Sequence, residues 1–155
     1  MTKSLLALCL SLAATVPLAA QGRPLTVTGV RGLTFGTLLP GLPGTVSRSD
    51  PANSGQIDLT GEKLSNVQLS FTLPTVMTGP GGATLPLTFS SADAGYSASQ
   101  AIGSQVAFDP RQPFVAALNK NGRGSVFVGG TAQPLASQRA GSYTATVILT
   151  VSYVP

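Results

Sequence analysis

The chain ends in A-G-S-Y-T-A-T-V-I-L-T-V-S-Y, residues 140–153. From Tyr143 onward this stretch alternates without a break. Tyr143, Ala145, Val147, Leu149, Val151 and Tyr153 fall on one face, and Thr144, Thr146, Ile148, Thr150 and Ser152 on the other. Period-two alternation in β-branched and aromatic residues predicts a half-buried strand over residues 143–153. At ~3.3 Å per residue it spans roughly 36 Å, which is long for a globular strand. A sheet must hold such a strand near its centre or cover its edge.

The rest of the chain reads in the same way. Residues 25–30 alternate, and so do residues 33–38, where Gly36 suggests a bulge or a close backbone approach. Residues 39–44 are turn material and residues 47–54 a polar loop. Ile57 and Leu59 share one face of a short strand over residues 56–60. Val67, Leu69, Phe71 and Leu73 form the next alternating face, which Pro74 ends. A turn at residues 79–82 leads to Leu85, Leu87 and Phe89, where Pro86 suggests an edge position. Residues 90–104 are small and polar apart from Tyr96. Short strands are expected at 105–108 and 124–130, and a short strand or one turn of helix at 114–118, with a hairpin turn at Asn121-Gly122. Seven to nine strands without useful helical periodicity predict an immunoglobulin-like antiparallel β-sandwich, with a jelly roll or small barrel as the alternative.

Composition agrees. The 155 residues suit one domain; 43% are hydrophobic and 9% charged, with 18 Gly and 12 Pro. That is too apolar for intrinsic disorder. The net charge of +4 comes from scattered bases, not from the patch a nucleic-acid site needs. There is no His and a single Cys, Cys9. An intrachain disulfide, a Cys/His zinc site and Ser-His-Asp or Cys-His catalysis are thereby excluded.

Residues 1–20 read as a secretory signal peptide. Lys3 supplies the basic start, residues 5–14 the apolar run, and Pro17-Leu18-Ala19-Ala20 the small-residue cleavage site. The apolar run is too short for a confident membrane span, although an uncleaved anchor is the alternative. Cleavage takes twenty residues from 155 and leaves 135, a single domain at residues 21–155 with no cysteine. The expectation is an exported protein of the periplasm or cell surface, with no membrane span after cleavage.

Five segments in order resemble an exported bacterial family, the domain of unknown function 4402 family. They are L-T-F-G-T-L-L-P-G (33–41), V-Q-L-S-F-T-L-P-T (67–75), G-P-G-G-A-T-L-P-L-T-F (79–89), V-F-V-G-G-T (126–131) and the terminal strand. The resemblance implies a β-sandwich and brings no activity. The ending is also similar to that of chaperone–usher fimbrial subunits and of the spore coat protein U domain. Those subunits carry a Gly twelve residues before a near-terminal Tyr, as Gly141 and Tyr153 stand here. This resemblance implies assembly by β-strand addition. The residues concerned are Gly141, Tyr143, Val147, Leu149, Val151 and Tyr153. Leu25, Val27 and Val30 form the candidate donor strand, and the partner is a copy of the chain or a periplasmic chaperone. The alternative is that residues 25–30 fold back onto their own sandwich.

Catalytic chemistry finds little support. The carboxylates are Asp50, Asp58, Glu62, Asp93 and Asp109, and there is no Trp platform for a glycosidase. The glycine clusters lack a P-loop pattern, and the Asp-containing turns lack the ligand density of a calcium loop. No enzyme activity, cofactor or metal is expected. The sequence predicts an exported, non-catalytic structural or adhesive surface protein. A monomeric module that binds a glycan or protein through its loops, residues 90–104 in particular, is the alternative.

Overall fold

The computed structural model describes residues 22–155; the signal-peptide reading of residues 1–20 lies outside them. Twelve strands follow in chain order: β1 (Thr26–Arg31), β2 (Gly44–Val46), β3 (Gly55–Thr60), β4 (Asn66–Thr72), β5 (Val76–Thr78), β6 (Thr84–Thr88), β7 (Ala94–Ser97), β8 (Val106–Phe108), β9 (Phe114–Ala117), β10 (Arg123–Val128), β11 (Gly130–Ala132) and β12 (Ile148–Tyr153). All pairings are antiparallel. They form three sheets in the orders β1-β3-β10-β7-β8, β2-β11-β6-β5 and β12-β4-β9, none closed into a barrel.

The five-stranded and three-stranded sheets share the main core. Leu59, Tyr96, Val126 and Val128 from the first meet Val67, Leu69 and Ala116 from the second. Leu69 and Val126 are fully buried, the expected fate of the inward positions of alternating strands. Phe71, Phe108 and Phe114 stack in series at one end of this core. β10 continues through Gly129 into β11, and β4 continues past Pro74 into β5. The four-stranded sheet is built from these continuations. It holds a smaller core of Met77, Leu85, Leu87 and Ala132, and Phe89 touches both cores. The fold is an all-β antiparallel sandwich, as the alternation predicts.

Several local expectations are corrected. There are twelve strands, not seven to nine, because β2, β5 and β11, of three residues each, and β7, of four, sit in stretches read as turn, loop or connection. Residues 33–38 are not a strand. Gly36 adopts a left-handed φ of 66° and turns the chain, so that Phe35 and Leu38 pack into the smaller core. Pro86 is not on an edge strand: β6 pairs with β5 and β11. Its missing N–H faces the last β11 rung, where its carbonyl still accepts from the Gln133 amide at 2.9 Å.

Asn121-Gly122 is a turn, yet β9 and β10 do not pair with each other. The Asn119 side chain accepts from the amides of Asn121 and Arg123. This turn carries the chain from one layer to the other. Residues 90–104 include β7, which is buried throughout, so Ala94–Ser97 is sandwich and not free loop. Its small residues permit this, since a Cβ at Gly95 would strike the side chains of Gln105 and Arg48.

Candidate functional site

The C-terminal alternation survives, but its pairing does not run unbroken. β12 pairs with β4 over six rungs, Ile148 with Thr72 through Tyr153 with Val67. Thr144 forms a separate bridge with Thr78 of β5. Continuing the β12 register would set Thr144 opposite Val76; Pro74 interrupts the partner between β4 and β5, and the pairing slips by two residues. The predicted 143–153 strand is thus a regular strand over Ile148–Tyr153 preceded by an extended stretch tied at one point.

β12 lies at the edge of its sheet and not at its centre. The direction of its main-chain groups follows from the bonds that flank it. The Val154 N–H donates to the Asn66 carbonyl at 3.1 Å, and Thr144 and Thr78 exchange bonds of 3.0 and 2.8 Å. On the far side of β4, the Leu118 N–H donates to the Ser65 carbonyl at 2.9 Å. An antiparallel ladder alternates its bonding residues. The even-numbered residues of β12 therefore bond to β4. Leu149, Val151 and Tyr153 direct their N–H and C=O groups to the open side, and no backbone partner meets them among the described residues.

The remaining sheet edges are blunted. β2, β5 and β8 have three residues each and β9 has four. β1 has six, but its register breaks between Gly29 and Arg31. Short edges, bulges and charges are the usual devices against edge pairing. β12 has none of them: it is six residues long, in unbroken register and uncharged.

A groove of about 950 Å³ adjoins the start of this edge. Ile57, Met77, Leu85, Leu87 and Val128 give it an apolar floor. Residues 33–38 form one wall and residues 138–145 with Val147 the other. Gly141 is required in that wall: its φ is 148°, and a Cβ there would enter the Pro80 ring. The Tyr143 ring covers Gly79. Its hydroxyl donates to the Arg139 carbonyl at 2.7 Å and accepts from the Gln138 side chain at 2.7 Å, a corner bond back to the upstream main chain like that of other sandwiches.

Tyr153 closes the other end. Its hydroxyl accepts from the Glu62 amide and donates to the Arg23 carbonyl, each at 2.7 Å. Val147, Leu149 and Val151 lie half-buried on the inward side, and the last two pack on the main core. Ala145 is exposed. Leu25 also packs on that core, while Val27 and Val30 are 42% and 53% exposed on β1. In this chain β1 pairs with its own β3, and Arg31 anchors its end by donating to the Ser54 carbonyl at 2.7 Å. The groove was not legible in the sequence, because its walls lie about a hundred residues apart.

The carboxylates serve local structure. Asp50 caps its loop, accepting from the Ala52 and Asn53 amides and from the Asn53 side chain. Those bonds, the Asn53 side chain foremost, hold its pKa below the usual range. Glu62 is lowered chiefly by the Arg23 amide and then by that of Lys63. Asp109 is lowered by its ion pair with Arg111 at 2.8 Å. Asp58 accepts from the Ser125 hydroxyl at 2.6 Å, and Asp93 from the Ser90 amide at 2.6 Å. Among the described residues no three His, Cys, Asp or Glu side chains converge on a metal position. No described helix is long and apolar enough to cross a membrane.

The family model described as Domain of unknown function (DUF4402) matches residues 43–153. The chain belongs to this family. The match begins before β2 and ends at the last residue of β12, so the free edge lies inside the family domain, whereas β1 lies before it. No curated protein matches the chain.

Proposed function

We propose that this DUF4402 protein is an exported, non-catalytic structural or adhesive surface protein that assembles by β-strand addition along residues 145–153. The observation that carries the reading is the unprotected edge of β12, with the main-chain groups of Leu149, Val151 and Tyr153 turned outward. An added strand takes its affinity from those groups and its register from alternate side chains. The adjoining apolar groove supports the reading, since it offers packing to the side chains of whatever pairs there. The signal-like N-terminal sequence supports export to the periplasm or cell surface. Copies of the chain or a periplasmic chaperone are the partners such an edge accepts.

Residue-resolved hydrogen exchange tests this. In dilute protein the amides of Leu149, Val151 and Tyr153 exchange fast, while those of Thr150 and Ser152, bonded to β4, exchange slowly. On concentration the three outward amides gain protection. If they stay fast at every concentration, self-assembly along this edge is refuted.

A further inference from the structure

We infer that the occupant of this edge is the same edge of a second copy, with β12 paired antiparallel to β12 across a two-fold axis. This rests on the strand-addition reading above and goes further by naming the partner and the symmetry.

Charge is the first argument. The full sequence carries +4, and +3 without Lys3 of the signal-like segment, so copies of the chain repel. None of the three strands β12, β4 and β9 contains a charged residue, and none occurs from residue 140 to residue 155. The three-stranded sheet is the neutral side on which two such chains approach without like-charge contact. The second argument is parity. In an antiparallel pair, opposed side chains share a face. A two-fold axis at Thr150 sets Leu149 opposite the other copy's Val151, so all the outward N–H and C=O groups of these residues find partners. Their half-buried side chains then lie side by side on the core face. On the outer face the two Thr150 side chains become neighbours, and Ile148, 52% exposed, gains cover beside Ser152. The two three-stranded sheets merge into one of six, in the order β9-β4-β12-β12-β4-β9.

The third argument concerns the rival. β1, the other edge strand of this length, carries a register break and ends in Arg31, which is bonded to Ser54. It fits an uninterrupted, uncharged edge less well than β12 fits itself. An isologous pairing closes at the dimer. Strand addition alone makes a small interface, so the dimer forms reversibly with concentration.

The test uses the chain as the cell produces it, with its N terminus read by mass spectrometry, in light scattering coupled to gel filtration over a concentration series. The unaltered chain moves from monomer to dimer. Thr150→Lys and Thr150→Asp each keep the circular-dichroism spectrum and urea midpoint within the range of a surface change, and each weakens dimerisation at least about tenfold. Mixed in equal amounts they dimerise again, because opposite charges now meet across the axis. Val106→Lys, on the exposed edge strand β8, leaves dimerisation unchanged. Polymers that survive Thr150→Lys but are lost in Val27→Lys/Val30→Lys overturn the two-fold pairing and leave strand addition standing. A monomer at every concentration, with the outward amides unprotected, overturns both. Failure of the mixed pair to dimerise overturns the symmetry.

Discussion

Proline substitution at two adjacent residues of β12 reads the direction of its main-chain groups. At Val151 the N–H points to the open edge, so proline removes no bond within the chain and places its Cδ in solvent. At Thr150 the N–H faces β4, opposite Ser70. Proline there removes a ladder bond of about 1 kcal/mol, leaves the Ser70 carbonyl without its donor at about 1–3 kcal/mol, and pushes the ring into β4. Adjusting φ toward the proline value is common to both variants. Losing part of the half-buried Val151 side chain costs about 1 kcal/mol. Thr150→Pro should therefore be less stable than Val151→Pro by roughly 2 kcal/mol. Urea unfolding in dilute solution, with the m-value checked for constancy, measures the difference. Equal destabilisation, or a larger loss at Val151, refutes the assignment of which residues face outward, and the strand-addition surface with it. Val151→Pro should also abolish concentration-dependent protection along the edge.

Other outcomes follow from single contacts. Gly141→Ala should cost about 1–3 kcal/mol, because the residue sits at a φ of 148° against the Pro80 ring; differential scanning calorimetry checks it. Leu69→Ala, fully buried in the main core, should cost about 3–5 kcal/mol in urea unfolding. Tyr153→Phe removes the hydroxyl that joins Arg23 to Glu62. It should cost about 0.5–1.5 kcal/mol and speed proteolytic cleavage near Arg23. Burial raises the Tyr96 pKa to about 12, and its hydroxyl donates to the Ala117 carbonyl at 2.7 Å. Since the folded value exceeds the unfolded one of about 10, this contribution is complete below about pH 10. It falls as pH rises toward 12, by order 1.4 kcal/mol per unit. Tyr96→Phe should flatten that part of the stability–pH curve.

The sequence was most legible where one face of a strand meets the core and the other meets water. β3, β4, β6 and β12 lie within the stretches whose residues alternate, because alternation records burial on a single face; β10, buried throughout Gly124–Val128, was legible only as an apolar run. Alternation failed in two opposite situations. β7 is buried on both sides, so Ala94, Gly95, Tyr96 and Ser97 show no apolar and polar faces; small residues fit a crowded position and resemble a loop. Residues 33–38 alternate in sequence, but the left-handed Gly36 turns the chain, so that Phe35 and Leu38, three residues apart, both pack inward. The donor and assembly residues divided likewise. Val147, Leu149 and Val151 were legible as an inward face, whereas nothing local says whether the main chain beside them is paired.

The amino-acid order alone determined the all-β class, the lack of His-dependent chemistry, the turn at Asn121-Gly122 and the inward face of the last strand. These depend on periodicity and residue type, which are local. Which strand stands at an edge, which edge is left unprotected, and where β1 pairs are decided only when distant segments meet. The slip at Pro74, the bond from Tyr153 to Arg23 and the groove between residues 33–38 and 138–147 all join positions far apart in the chain. A strand carries the same two faces in its sequence whether its third direction holds a neighbour or water; that direction belongs to the tertiary structure.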